Sequence, residues 1–588
     1  MILLALKEYY DRKICDGSIA KDGWINGSID FLIDLDEDGN ATDISDLREL
    51  DGKRYISKRL DVPNIGKQAL KHSNSGKDAN FLWDNASFVL GLGEKGDSRL
   101  ESMLAVIEEF SPDTTDIGVR SVKTFLEKGL RDRTHFHNIL NHSEFGELFA
   151  SGSPKLSFRV PATGFRTVFD SPEVSEALVN VGQQSGTGES HIGTCLITGK
   201  QNCIIEATHS VTKGVWGAQT SGACVVSFNK DSFNSYNKIQ SYNAPIGKTA
   251  ASQYTKALNT LLESKKQTMH IGDTTAVFWS ERKSMFEDSF SLFFNEPDKD
   301  DPEKGTEKIK ELLSSFQTGT YSVDNGDDRF YILGLSPNAA RVSIRFWHVG
   351  TIAEYSDRIR QYFEDFKIIK PASEPEYYSI WRILVNTAVQ DKSENIPPNV
   401  AGDLVKSILE GTPYPETLLQ AVLRRIRSDK DNRVKPVRAA IIKAYLNRYY
   451  KFHTNTNYKE VSLSLDENQK STGYQLGRLF AILEKIQEEA NPGTNTTIRE
   501  RFYGSACSSP VTVFPNLMRL KNHHLAKMDS KGKVVYFEQL LGNVIENLSD
   551  FPSHLPLHQQ GLFAVGYYHQ RQDFFTKKSE KKESQEGK

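Results

Sequence analysis

Apolar and polar positions alternate through "SIDFLIDL", residues 28–35, as they do along a strand with one covered face. An Asp-Gly step, Asp38-Gly39, follows, so the pattern predicts a β-hairpin whose glycine takes the positive φ of a tight turn. The same stretch carries the acidic opening of a calcium loop: Asp34, Asp36 and Asp38 alternate, and Thr42 sits at the ninth position. The twelfth position, which should be a bidentate Glu, is Ser45, and the flanks lack the period of EF-hand helices. A hairpin is therefore expected, and no calcium site.

Further strand-like runs are "KLSFRV", "TCLITGK", "GACVVSF", "TTAVFWS", "RFYILGL" and "RVSIRFWHV". Between them lie helical stretches such as "LESMLAVIEEF" and "SQYTKALNTLLES", giving an α+β pattern from about Gly23 to Arg345. A polar, acidic loop, "NEPDKDDPEKGTE" at residues 295–307, interrupts it. After "KPASEPEYY" the period becomes helical, as in "LLQAVLRRIRS", "AAIIKAYLNRYY", "YQLGRLFAILEKIQEEA" and "VYFEQLLGNVIENL". The expected fold class is thus α+β: a mixed N-terminal and central region followed by a C-terminal α-helical bundle. The expected domains are residues 1–150, 151–370 and 377–575, with a charged, disordered tail at 576–588.

Length supports several cores, since 588 residues exceed what one core holds and suggest about three or four domains. Charge excludes a globally basic nucleic-acid binder: Lys plus Arg is 73 against 76 Asp plus Glu. No apolar run approaches the length of a membrane span. "MILLALKEYYDRK" has too short an apolar run for a signal peptide and reads as an amphipathic helix. Five Cys fit a reducing cytoplasm without a disulfide framework.

Enzyme and metal chemistry find little footing. Cys195 and Cys203 bracket "CLITGKQNC", but Thr198 and Gly199 stand where a zinc knuckle would place its second Cys. A metal-free turn of knuckle shape is expected. His135, His137 and His142 lack a fourth ligand and read as solvent-facing. "VGQQSGTGESHIG" meets neither the P-loop nor the dinucleotide pattern. Pro297-Asp298 resembles a nuclease step, yet its other carboxylates lie in the same solvated run. No catalytic residue, metal or cofactor is expected.

Three stretches suit nucleic acid. Residues 71–80 gather Lys71, Asn74, Ser75, Lys77 and Asn80 around one Gly, offering ammonium, hydroxyl and amide groups to phosphates and base edges. Around Lys213, Trp216, Gln219, Ser221 and Asn229, glycines space polar and aromatic residues as in surfaces for single-stranded or distorted nucleic acid. From Tyr414 to Lys451 there are ten Lys/Arg against three Asp/Glu. There an outer face holding Arg424, Arg425, Arg427 and Arg438, with Arg499, Arg501 and Lys521 beyond, could follow a phosphate backbone.

"NFLWDNASFVLG", "KGVWGAQTSGACVVSFN", "GDTTAVFWSER", "GLSPNAARVSIRFW", "YQLGRLFAILEKIQEEAN", "TIRERFYGSACSSPVTVFPNL" and "HQQGLFAVGYYHQR" occur in this order along nearly the whole chain. They resemble the large subunit of the type I-C (Dvulg subtype) CRISPR Cascade complex. The resemblance implies a non-catalytic subunit of an RNA-guided complex that reads a short flanking motif (the protospacer-adjacent motif) in double-stranded target DNA. Such a subunit helps open the duplex into an R-loop, holds the displaced strand and helps recruit a separate helicase–nuclease. Implied partners are a guide RNA, backbone subunits, a 5′-end subunit and a small helical subunit, with no membrane. In such systems the small subunit is made from an internal start within the large one; here no Met lies between residues 450 and 517. The competing expectations are a metal-dependent nuclease, tested by incubating the protein with DNA and magnesium or manganese, and a purely structural scaffold.

Overall fold

The computed structural model describes residues 2–52, 54–65, 77–176, 178, 191–271, 274–293, 326–429, 434–453, 459–493 and 496–575. The glycine-rich run before His191, the acidic loop at 295–307 and the tail at 576–588 lie outside the described residues. The fold is α+β, with mixed sheets and a helical C-terminal region. Two compact units emerge: Met1–Gly214 with Ala218–Thr260 and Pro337–Val342, and Val215–Gly217 with Leu261–Ser336 and Ser343–Lys588.

The first unit opens with helix α1 (Ile2–Cys15) and strands β1 (Trp24–Ile29), β2 (Phe31–Leu35) and β3 (Ala41–Asp46). Strands β2 and β3 form the expected hairpin, with Gly39 at φ 73° in its turn. Asp36 serves the turn by accepting the Asn40 N–H at 2.7 Å. Asp34 is buried and receives Arg159 Nε at 2.8 Å, so a residue that looked like a turn acid anchors a distant strand. A short hairpin, β4 (Glu49–Asp51) and β5 (Arg54–Ile56), precedes β6 (Lys58–Pro63), which pairs antiparallel with β1. Strands β7 (Trp83–Asn85) and β8 (Lys155–Arg159) complete a mixed sheet of order β3-β2-β8-β7, with β2 and β8 parallel.

Helices α2 (Gly96–Phe110) and α3 (Ile117–Arg131) lie between β7 and β8 in sequence. Asp116 starts α3 by accepting the Val119 N–H at 2.9 Å, and Val119, Val122, Phe125 and Leu126 form its buried stripe. They join Phe31, Ile33 and Phe158 in one core.

Two strand predictions fail here. "TCLITGK" is a turn between the two-residue strands β9 (Ile192–Gly193) and β10 (Cys203–Ile204), because the Cys195 carbonyl accepts the Gly199 N–H at 2.8 Å and reverses the chain. "GACVVSF" makes only isolated bridges, Thr212 with Ala223 and Cys224 with Arg341, so no ladder propagates. The histidine cluster is also less exposed than expected. His135 lies half-buried against Phe125 at 5.3 Å with Nε2 3.1 Å from the Gly39 carbonyl, and His142 stacks on Phe145. Helix α4 (Lys248–Glu263) runs from the first unit into the second.

The sheet of order β11-β12-β13-β14 comprises Thr268–Ile271, Thr274–Ser280, Arg329–Asn338 and Arg341–Thr351. Beyond it lie α5 (Ile352–Asp365), α6 (Pro398–Glu410), α7 (Glu416–Ser428), α8 (Pro436–Phe452), α9 (Thr472–Ala490), α10 (Ile498–Ser508), α11 (Phe514–Ala526), α12 (Lys531–Ile545) and α13 (Leu557–Phe575). Phe278, Phe330, Tyr355, Leu404, Ile441, Phe480 and Phe563 share one core. At its centre α9 and α13 approach until backbone meets backbone. A Cβ on Gly477 would overlap the Phe563 carbonyl oxygen, and one on Gly566 the Tyr474 carbonyl oxygen.

Candidate nucleic-acid interface

In sequence the first candidate segment falls between β6, which pairs with β1, and β7, at the edge of the sheet β3-β2-β8-β7. Trp83 Nε1 donates to the Pro63 carbonyl at 2.8 Å, tying β7 to the end of β6. Lys71, Asn74 and Ser75 lie outside the described residues, whereas Lys77 is exposed. Asn80 turns inward, its backbone N–H and Nδ2 donating to Asp84 Oδ2 at 2.8 and 3.1 Å. The sequence pointed to Asn80 as a possible base reader; its amide instead fixes the root of the segment.

Asp84 is the residue sequence reasoning missed. Burial pushes its carboxyl up to about 6, against hydrogen bonds from Asn80 and Asn85 and the nearby Lys155 that favour the charged form. A folded-state value above the ordinary 3.8 favours folding below that value and loses the advantage as pH rises through about 6. Asp84→Asn should therefore gain on the parent by roughly 2 kcal/mol between pH 4.5 and 7.5. Urea midpoints at both pH values measure this; a gap that stays constant contradicts the burial of a charge at Asp84.

In the second segment Lys213, Trp216, Gln219, Ser221 and Asn229 are all exposed. The Lys213 N–H donates to Asn259 Oδ1 at 2.9 Å, and Asn229 Oδ1 accepts from Arg341 Nη2 at 3.1 Å. The Trp216 N–H donates to Thr275 Oγ1 at 2.9 Å, holding an indole that is 60 % exposed.

The third set divides by helix face. Arg424 and Arg427, one turn apart on α7, are exposed and line an open depression with Gln420, Ser428 and Leu557. Arg425 points the other way and pairs with Asp429. Arg438 is a correction: it is fully buried, with Nη2 2.6 Å from Asp429 and 3.2 Å from Asp391. Burial alone would raise the Asp429 carboxyl, but hydrogen bonds from Arg425 and Arg438 outweigh it and hold it below the ordinary value. Arg499 is likewise committed internally, lying 3.8 Å from the buried Glu484 and 2.9 Å from Glu500. Lys521, only 12 % exposed, pairs with Glu538 at 3.2 Å. Arg501 is exposed on α10. The outer basic face thus reduces to Arg424 and Arg427, with Arg501 separate. Arg438, Arg499 and Lys521 meet Asp and Glu residues whose proximity the tertiary fold creates.

Among the described residues no group of three or more His, Cys, Asp or Glu side chains is placed to hold a metal ion, and no helix is long and apolar enough to cross a membrane. No curated protein matches the chain. The family model described as CRISPR-associated protein (Cas_Csd1) matches residues 6–575, nearly the full length. The chain belongs to this CRISPR-associated Csd1 family, in keeping with the large subunit of a type I-C Cascade complex.

Proposed function

We propose that this chain is the non-catalytic subunit that reads the flanking motif of target DNA for a type I-C Cascade complex and then helps hold the duplex open. The observation that carries the reading is the family match across residues 6–575, which assigns the chain to CRISPR defence as a Cascade-type subunit. The finer roles rest on chemistry. Residues 71–80 carry polar and cationic side chains between Pro63 and Trp83, which are joined by a hydrogen bond, and that chemistry suits a groove where the protein contacts base edges and the adjoining pair must open. Lys213, Trp216, Gln219, Ser221 and Asn229 are each exposed, and their chemistry suits the opening fork or a neighbouring subunit. Arg424 and Arg427, with Arg501 elsewhere on the bundle, offer phosphate contacts to the displaced strand. Guide RNA, backbone subunits, the 5′-end and small helical subunits and a helicase–nuclease are the partners this role requires.

Assembled complexes carrying Asn74→Ala or Lys77→Ala, presented with a library of flanking sequences, test the assignment. Each lost base contact should weaken binding to the preferred motif by roughly 1–3 kcal/mol and flatten the preference at one position. Hydrogen exchange around Trp216 before and after DNA addition separates its two roles. Unchanged motif preference in both variants would remove residues 71–80 from recognition.

A further inference from the structure

Helix α8 ends in an aromatic stack running from the core to solvent. Tyr445, Tyr449 and His453 recur at four-residue spacing, so their rings lie one above another on one helix face. Tyr445 and Tyr449 are 5.8 Å apart with planes 20° off parallel; Tyr449 and His453 are 4.1 Å apart at 22°. Exposure rises along the stack, from buried Tyr445 through half-buried Tyr449 to exposed His453.

The stack is held rigidly. His558, at the start of α13, stands edge-on to Tyr445, Tyr449 and Tyr450 at 5.6, 4.7 and 5.4 Å. Its Nδ1 lies 2.9 Å from the Tyr450 hydroxyl and its Nε2 3.4 Å from that of Tyr445. His453 Nδ1 lies 2.8 Å from the Tyr449 carbonyl, so that nitrogen donates and the ring is locked parallel to its neighbour. A preorganised ring at the solvent end of a stack is a surface another planar group can extend with little ordering cost.

The same helical region carries exposed cations: Leu557, adjacent to His558 in sequence, lines the depression that holds Arg424 and Arg427, and Lys451 is exposed two residues before His453. Planar face and cations together match the chemistry of unpaired nucleic acid, in which bases stack and phosphates pair with basic side chains. We propose that His453, terminal ring of the Tyr445–Tyr449–His453 stack, takes an unpaired nucleobase of the displaced DNA strand while Arg424 and Arg427 hold phosphates elsewhere along the same strand. This rests on the strand-holding reading above and adds a base site to its phosphate contacts.

The test uses the assembled complex bound to target DNA whose displaced strand carries single 5-iododeoxyuridines at successive positions. Irradiation should give an adduct in the peptide containing His453 from one or two adjacent positions. His453→Ala should abolish that adduct and release the strand roughly 5- to 100-fold faster, and His453→Phe, which keeps a planar face, should restore retention. No adduct and unaltered release in His453→Ala, with Arg424→Glu/Arg427→Glu still losing the strand, overturns the base site and leaves strand holding intact. If neither variant changes release, both fall. Protection of His453 on assembly before DNA is added also overturns the proposal, since another subunit then covers the ring.

Discussion

Gly477→Ala should unfold the C-terminal bundle at markedly lower denaturant than the parent, with a loss at or above roughly 3 kcal/mol. The new methyl group would overlap the Phe563 carbonyl oxygen and come within 2.8 Å of the Tyr567 nitrogen. Both are backbone atoms of α13 and cannot rotate aside. Relief would require the two helices to separate, which would also disturb the bonds between them. Tyr567 donates its hydroxyl to the buried Glu484 at 2.6 Å, and Arg478 Nε donates to Gln570 Oε1 at 3.1 Å. Gly402→Ala is the opposing control. Its Cβ meets nothing within 4 Å inside α6, so it should stabilise by roughly 0.5–1 kcal/mol through helix propensity alone. Urea titration followed by far-UV circular dichroism distinguishes them; similar midpoints for the two variants contradict the close helix approach.

The double reversal Arg424→Glu/Arg427→Glu should largely abolish stable strand opening while leaving the flanking-motif preference intact. Both side chains are exposed on α7, so the variant should fold. R-loop formation exchanges one duplex for another of similar stability, so modest contacts to the displaced strand tip the balance. Two lost phosphate contacts should also make the salt dependence shallower by roughly 1.4 in log affinity per log salt, at about 0.7 per contact for single strands. Permanganate reactivity of displaced-strand thymines at several salt concentrations is the readout. Equal reactivity in variant and parent at every salt level would take α7 out of strand holding. Arg425 and Arg438 are poor probes: removing either disturbs Asp429, and truncating a buried ion pair costs roughly 3–5 kcal/mol of stability.

That division among the arginines was partly legible in the sequence. On α7, Leu418, Leu419, Val422, Leu423 and Ile426 mark the covered face, and Arg425 falls three residues after Val422, on that side. Arg424 and Arg427 fall between the apolar positions. Around Arg438 the run Val437, Ala439, Ala440, Ile441 and Ile442 leaves no polar face, which foretells a buried helix and hence a buried, paired guanidinium. Net charge over Tyr414–Lys451 averaged these two situations together. The β2–β3 hairpin and the long helices were readable because their signals are local: an Asp-Gly turn and a sustained period. Asp34 with Arg159, Asn80 with Asp84 and Arg499 with Glu484 were not, since each pairing depends on strands or helices brought together by the fold. "TCLITGK" misled because its composition favours a strand while the hydrogen bond closed by Gly199 reverses the chain.

Contact between residues 71–80 and the flanking motif, as proposed above, can be mapped on the DNA itself. An azidophenacyl group on the DNA backbone at the motif, photolysed in the assembled complex, maps the nearest protein directly. Adducts are expected within residues 71–80 of this chain, lost when the motif is scrambled and reduced in Lys77→Ala. Adducts confined to another subunit, or equally strong on scrambled DNA, would contradict it.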